Sequence, residues 1–285
     1  KAAAKLGRRQ FLRIEVKPNI CVLQNVVFAE REMQDVAGVI GKDLFTDDLR
    51  EMLGQFEQAK NFGSLIVPKL HDPDETLRVV EARDFGGDLL LKEVQARVVA
   101  VLRMAEVLSP KYHVVVANPP YIGNRNMSKE LADFLKVNFD KYKLDAFTCF
   151  VIRSKDLTLS GGNLGFMTPF TWMFIGAYED FRDELINRSQ IQSLVQLEYS
   201  GFEGATVPIC IFNFSNKSAA RWADFIRLVD FKGSRNQGPR AREAVQDSDC
   251  SWRYLANPKD FNSVPGKPIA YWLTEEMRRS FEHAK

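Results

Sequence analysis

An unbroken apolar run, Val114-Val115-Val116-Ala117, stops on Asn118-Pro119-Pro120-Tyr121. Four small apolar residues without polar alternation suit a strand buried on both faces. Two prolines fix φ and remove two backbone donors, so no regular element continues through them. The expectation is therefore a central strand in a helix-covered sheet, with Asn118 at its carboxyl end. The residues that follow keep this rhythm. Residues 142–158 read as a helix, Gly161-Gly162 as a turn and Asn163–Met167 as a strand. Tyr178–Asn187 reads as a helix, Ile191–Leu197 and Val207–Phe214 as strands, and Phe225–Phe231 as a further strand. Strands and helices in alternation argue for an α/β sheet. With no helix between Ile191–Leu197 and Val207–Phe214, an antiparallel edge is expected.

Upstream the rhythm differs. Asn19-Ile20-Cys21-Val22-Leu23 reads as a short buried strand behind Pro18. Residues 29–108 read as mostly helical. Leu89, Leu90, Val94, Val98, Leu102 and Ala105 recur at helical spacing until Ser109-Pro110 stops them. This stretch interrupts the strands and reads as a helical insertion. Residues 232–250 are polar and hold Gly233, Gly238 and Pro239, so they read as a linker. The chain starts at Lys1, and both Lys1–Leu6 and Glu275–Arg279 have helical patterns. Both ends are expected to be cuts through a longer protein.

Composition removes several function classes. Of 285 residues, 45% are hydrophobic and 27% charged, as in ordinary folded domains. Cys21, Cys149, Cys210 and Cys250 are far apart and are expected to be buried, reduced thiols. His71, His113 and His283 are scattered, which argues against a metal site or a His-dependent triad. No apolar run reaches the ~18 residues of a membrane span, and no secretory signal opens the chain. A cytoplasmic location without a membrane partner is expected. The net charge is only +2, so any grip on nucleic acid must come from local patches or from outside this segment.

In open α/β sheets ligands sit beyond the carboxyl ends of strands, where Asn118-Pro119-Pro120-Tyr121 falls. A chance match to these four residues is on the order of one in a thousand for such a chain. The residue types suit one chemistry. The exocyclic amine of adenine is a poor nucleophile because its lone pair is delocalised into the ring. Two acceptors for its hydrogens pull the nitrogen toward tetrahedral geometry and aim the lone pair outward. The Asn118 side-chain oxygen is one acceptor and the Pro119 carbonyl the other, held in place by the prolines before reaction. Tyr121 offers a flat face to an extruded base, worth ~1–3 kcal/mol. A Pro-rich turn ending a strand is the rival reading. It explains the prolines but neither the preceding Asn nor the following aromatic.

Asn118-Pro119-Pro120-Tyr121 resembles the catalytic motif of N6-adenine DNA methyltransferases, and the likeness extends over residues 112–214. Lys143–Phe147 is similar to the opening of the helix those enzymes carry next, and Gly161–Pro169 to their following turn and strand. Phe202–Ile209 is similar to the segment whose aromatic meets the flipped base from its other side, which implies that Phe202 is a second base contact. Pro18–Cys21, Asn61–Ile66 and the long insertion are similar to PglX-type methyltransferases of BREX phage-defence systems. The resemblance implies the carboxyl-terminal part of a Rossmann-like class I methyltransferase sheet. It implies the end of a cofactor half over 1–28, a helical insertion over 29–110, a catalytic half over 111–231, and a linker and start of a recognition region over 232–285. It also implies S-adenosylmethionine as methyl donor, double-stranded DNA with a flipped adenine as partner, other defence-system proteins as further partners, and a role in self-marking in a bacterial cytoplasm.

The family's cofactor site has no counterpart here. Its Gly-rich loop follows a first strand, and an acidic residue ends the next strand to hold the ribose. Gly38–Gly41 and Asp84–Gly87 are the nearest clusters, and neither follows a credible strand. The isolated chain is therefore expected to be inactive and to bind S-adenosylmethionine weakly. Methylation of RNA or of protein glutamine, which also uses this motif, and a non-catalytic DNA- or partner-docking fragment are the alternatives. Gly161-Gly162 reads as a turn, Trp172 as core, and Asp145 as a helix-face or capping residue with a lesser chance of a cofactor-side role. Arg221, Arg227, Arg235, Arg240 and Arg242 suit phosphates or a solvated linker equally.

Overall fold

A computed structural model describes residues 18–282 except 42, 71, 200 and 202–206. Two compact units divide them, one from residues up to 60 together with 68–108, the other from 61–67 together with 109 onward.

The first unit is helical. Its helices are α1 (Met33–Ile40), α2 (Asp47–Gln55), α3 (Pro73–Glu81) and α4 (Leu89–Leu108). Thr46 caps α2 through the Leu49 amide at 3.3 Å, and Asp72 caps α3 with Pro73 in its first turn. Four of the six residues of the predicted stripe on α4 are buried. Val94, Val98, Leu102 and Ala105 are buried, whereas Leu89 and Leu90 are exposed. Residues 19–23 form no strand, and Ile20 and Val22 are exposed. A short apolar run alone does not supply a pairing partner.

The second unit is built on a six-stranded mixed sheet in the order β1-β2-β4-β3-β5-β6. Its strands are β1 (Tyr112–Ala117), β2 (Thr158–Pro169), β3 (Gln190–Gln196), β4 (Ile209–Ser215), β5 (Ala223–Arg227) and β6 (Arg253–Ala256). β1 and β2 run parallel, as do β3 and β5. The α/β expectation holds, with a refinement. The antiparallel edge is β6 on β5, while β4 lies antiparallel between β2 and β3. Inside the sheet, Phe212 and Phe214 of β4 meet Phe166 of β2, each ring pair 5.9 Å apart; an edge position would bury less of them.

Helices α5 (Lys129–Asn138), α6 (Ala146–Asp156) and α7 (Glu179–Asn187) lie between the early strands. Phe147 and Val151 of α6 and Phe181 and Leu185 of α7 close one core with Leu164, Leu194, Phe212 and Trp172. The opposite face is apolar but open in places. Val114 is 58% and Val116 76% exposed, whereas Val115 and Ala117 pack on the core. The doubly buried central strand expected at 114–117 is thus an edge strand among the described residues. Its composition states that both faces tolerate burial, not what buries them.

Two local expectations change. Gly161 and Gly162 lie within β2, at an irregularity in its pairing with β1. Gly161 adopts φ +80°, and a Cβ on Gly162 would sit 2.8 Å from the His113 carbonyl, so close approach explains the pair. The expected linker at 232–250 contains a helix, α8 (Ser234–Gln246), with Pro239 inside it. Its buried Gln237 accepts from the Glu198 amide at 3.1 Å and donates to the Phe231 carbonyl, anchoring a sequence that composition reads as loose. A last helix, α9, spans Glu275–Glu282.

Candidate active site

The motif leaves β1 at its carboxyl end. Pro119 is buried, Asn118 and Pro120 are exposed, and Tyr121 is half-buried. The backbone beyond Tyr121 is stitched to the start of α6. Ala146 donates to the Ile122 carbonyl and Asn124 to the Leu144 carbonyl, each at 3.0 Å, and Gly123 bridges Asp145. Asp145 caps α6 through the Phe147 amide at 3.2 Å, the structural role its position suggested. Burial pushes its carboxyl above the usual carboxylate range. Trp172 is core as expected, its indole N–H held by Thr168 Oγ1 at 3.1 Å.

Tyr121 is fixed from two sides. Its ring stands edge-on to Phe147, with centroids 6.5 Å apart. Its hydroxyl lies 2.8 Å from Asn118 Oδ1 and 3.0 Å from the Met167 carbonyl of β2. Burial raises the phenol above its ordinary range, so it stays a donor at neutral pH. One hydroxyl hydrogen serves one of these acceptors at a time. The oxygen and nitrogen of an amide are told apart only by their partners. With the Asn118 amide turned over, its N–H donates to the phenol oxygen, the phenol donates to Met167, and Oδ1 faces away, free to accept. In either orientation the phenol fixes the amide plane. The Pro119 carbonyl has no hydrogen bond among the described residues. An apolar hollow of about 440 Å³ opens beside Asn118, lined by Val116, Gly165, Met167, Val195 and Ile211.

Asn118, Pro119, Pro120 and Tyr121 are therefore brought together. Phe202 lies outside the described residues. The described chain resumes at Val207, beside the end of β2, where Phe170 donates to the Pro208 carbonyl at 3.0 Å. Sequence reading missed the Met167 carbonyl, and no signal marks it, because a backbone group is common to every residue.

Neither of the two glycine clusters nearest the family's cofactor loop fits S-adenosylmethionine. Gly38 lies inside α1 and Gly41 ends it, and Gly86-Gly87 form a turn before α4. Neither cluster follows a strand, so neither offers the strand-to-helix cradle such a ligand needs.

The sequence profile of the Eco57I restriction-modification methylase family matches residues 48–202, more than half of the chain. The adenine-specific methyltransferase PglX of Lacticaseibacillus casei is 28% identical over 98% of this chain and 24% of its own length. The adenine-specific methyltransferase BrxX of Escherichia coli is 30% identical over 82% of this chain and 19% of its own length. The chain thus spans about a quarter or less of these relatives. A type I restriction-modification methyltransferase subunit from Streptococcus thermophilus has a similar structure over 62% of this chain and 46% of its own, at 14% identity and a TM-score of 0.45.

Proposed function

The chain belongs to the Eco57I restriction-modification methylase family, and we propose that it supplies the base-binding, amine-activating half of an adenine-specific DNA methyltransferase. The observation that carries this reading is the Asn118–Tyr121–Met167 arrangement, with its oriented amide and the unengaged Pro119 carbonyl. An adenine extruded from duplex DNA offers two N6 hydrogens. Asn118 Oδ1 accepts one and the Pro119 carbonyl the other. These contacts draw the nitrogen toward tetrahedral geometry and leave its lone pair free. Because both acceptors are fixed before the base arrives, little reorganisation accompanies the reaction. Tyr121 stacks on the base, and Phe202 is its second aromatic contact. S-adenosylmethionine, when bound, supplies the methyl group; the residues that hold it lie elsewhere than in the described part of this chain. The likeness to PglX and BrxX supports a role in bacterial phage defence by self-marking of DNA, in the cytoplasm and alongside other defence proteins.

The test is product identity. The full-length protein is incubated with labelled S-adenosylmethionine and plasmid DNA, and the DNA is digested to nucleosides. Label in N6-methyl-2′-deoxyadenosine is expected. Label in cytosine, or only in RNA or protein glutamine when these are offered, contradicts the proposal.

A further inference from the structure

We propose that α8 and the turn after Tyr121 form two basic arms that grip the phosphates of DNA bound at the Asn118 motif. This rests on the reading of the site as one that receives an adenine from duplex DNA.

On α8, Gln237 and Ala244 are buried, while Arg235, Pro239 and Arg242 are exposed. Residues seven apart on a helix share a side, so Arg235 and Arg242 point out together. Lys232 lies just before the helix and is also exposed. None of these three cations has an ion pair among the described residues. Nearby acids are engaged elsewhere. Asp230 pairs with Arg227, Glu243 with Arg240 at 2.7 Å, and Glu198 accepts from the Gly233 amide at 3.3 Å. Asp247 and Asp249 follow the carboxyl end of α8 and bound the basic stripe there.

This helix is not a loosely solvated one. Arg240 stacks over Phe231 and Trp252 at 4.9 and 5.3 Å, and Trp252 donates to the Arg240 carbonyl at 3.2 Å. Ala241 and Ala244 belong to a packed cluster with Leu197 and Ile209, and Tyr121 packs against the same cluster. A single apolar layer therefore links α8 to the motif tyrosine. The second arm is Arg125, exposed in the helical turn Asn124–Asn126, four residues beyond Tyr121. That turn is fixed to α6 through the Asn124 amide and the Gly123–Asp145 bridge.

Guanidinium groups suit phosphate geometry. About 10 Å separates Arg235 from Arg242 along the helix, at 1.5 Å per residue, close to three nucleotide rises of one DNA strand. With a net charge of only +2 over the chain, unpaired cations around one motif form a local field that the rest of the sequence does not dilute.

The test uses the full-length protein and a labelled duplex. Binding is measured by fluorescence anisotropy across a salt series for the native protein, for Arg235→Gln with Arg242→Gln, and for Arg125→Gln. Each phosphate contact removed lowers the slope of log affinity against log salt by about 0.9, so the double variant loses about 1.8 and the single about 0.9. Thermal unfolding is expected to be unchanged in all three. Native slopes in the variants overturn the inference, as do salt-independent DNA binding by the native protein and tighter binding to an RNA duplex or an acidic protein than to DNA. If the variants lose slope while the protein methylates no adenine, the methylation reading fails and the basic arms stand. If adenine is methylated and the slopes stay native, the basic arms fail alone.

Discussion

Tyr121→Phe removes one oxygen and keeps the ring. The lost hydroxyl is 2.8 Å from Asn118 Oδ1 and 3.0 Å from the Met167 carbonyl, so two groups lose a partner at once. A hydrogen bond of this kind contributes about 0.5–1.5 kcal/mol net. If about 1–2 kcal/mol of amide orientation is withdrawn from the transition state, kcat falls roughly 5- to 30-fold. The ring still stacks, so DNA affinity and extrusion of 2-aminopurine placed at the target are expected to change less than about 2-fold. Tyr121→Ala, which removes the stacking face, is expected to lose extrusion as well. The assay is single-turnover methylation by the full-length protein at saturating DNA and S-adenosylmethionine, with fluorescence of the 2-aminopurine duplex alongside. A second background checks the cause. In Asn118→Asp both side-chain oxygens accept, so no orienting is needed and the added Tyr121→Phe costs less than about 2-fold. Native kcat in Tyr121→Phe, or an equal loss in both backgrounds, refutes the reasoning.

Other outcomes follow from the packing and from the sequence. Arg182 is buried and donates to the Trp172, Ile175 and Gly266 carbonyls at 2.6–3.0 Å. Arg182→Met is therefore expected to destabilise the fold by about 3–5 kcal/mol in chemical denaturation, because three carbonyls lose a donor and, among the described residues, only that of Ile175 keeps another, the Tyr178 amide. Asp145 has its carboxyl raised by burial, so its charged form is disfavoured in the folded chain. That penalty is present at neutral pH and vanishes as pH falls below the ordinary aspartate range. Asp145→Asn keeps the cap and is expected to raise stability at pH 7 with no gain at low pH, measured by unfolding at both. Titration calorimetry of this chain with S-adenosylmethionine is expected to show no micromolar binding, since among the described residues neither Gly38–Gly41 nor Gly86-Gly87 follows a strand; micromolar binding contradicts that.

The sequence marks the candidate site more plainly than its surroundings. Asn118-Pro119-Pro120-Tyr121 suits its proposed chemistry by residue type alone, and Asp145, which reads as a helix-face or capping residue, is the cap of α6. Burial of β1 was not legible, because Val114 and Val116 are as apolar as Val115 yet lie exposed at an edge. The helix at 234–246 was hidden by Gly238-Pro239, whose local preference for a turn is overridden by the Gln237 anchor and the Arg240 stack. Asn61–Ile66 read only as a family likeness. Its Ser64 and Ile66 carbonyls in fact accept from buried Arg153 of α6, and Phe62 stacks on Phe134 at 4.2 Å. A long-range role for backbone carbonyls leaves no trace in residue type.

The most direct measurement is Asn118→Ala in the full-length protein, expressed in cells that otherwise lack adenine methylation. Modified bases are read genome-wide beside the unchanged protein, with purified variant and parent compared by thermal unfolding. N6-methyladenine is expected to disappear while unfolding stays native, because Asn118 is exposed and contributes an acceptor rather than packing. Normal adenine methylation in the Asn118→Ala cells would contradict it.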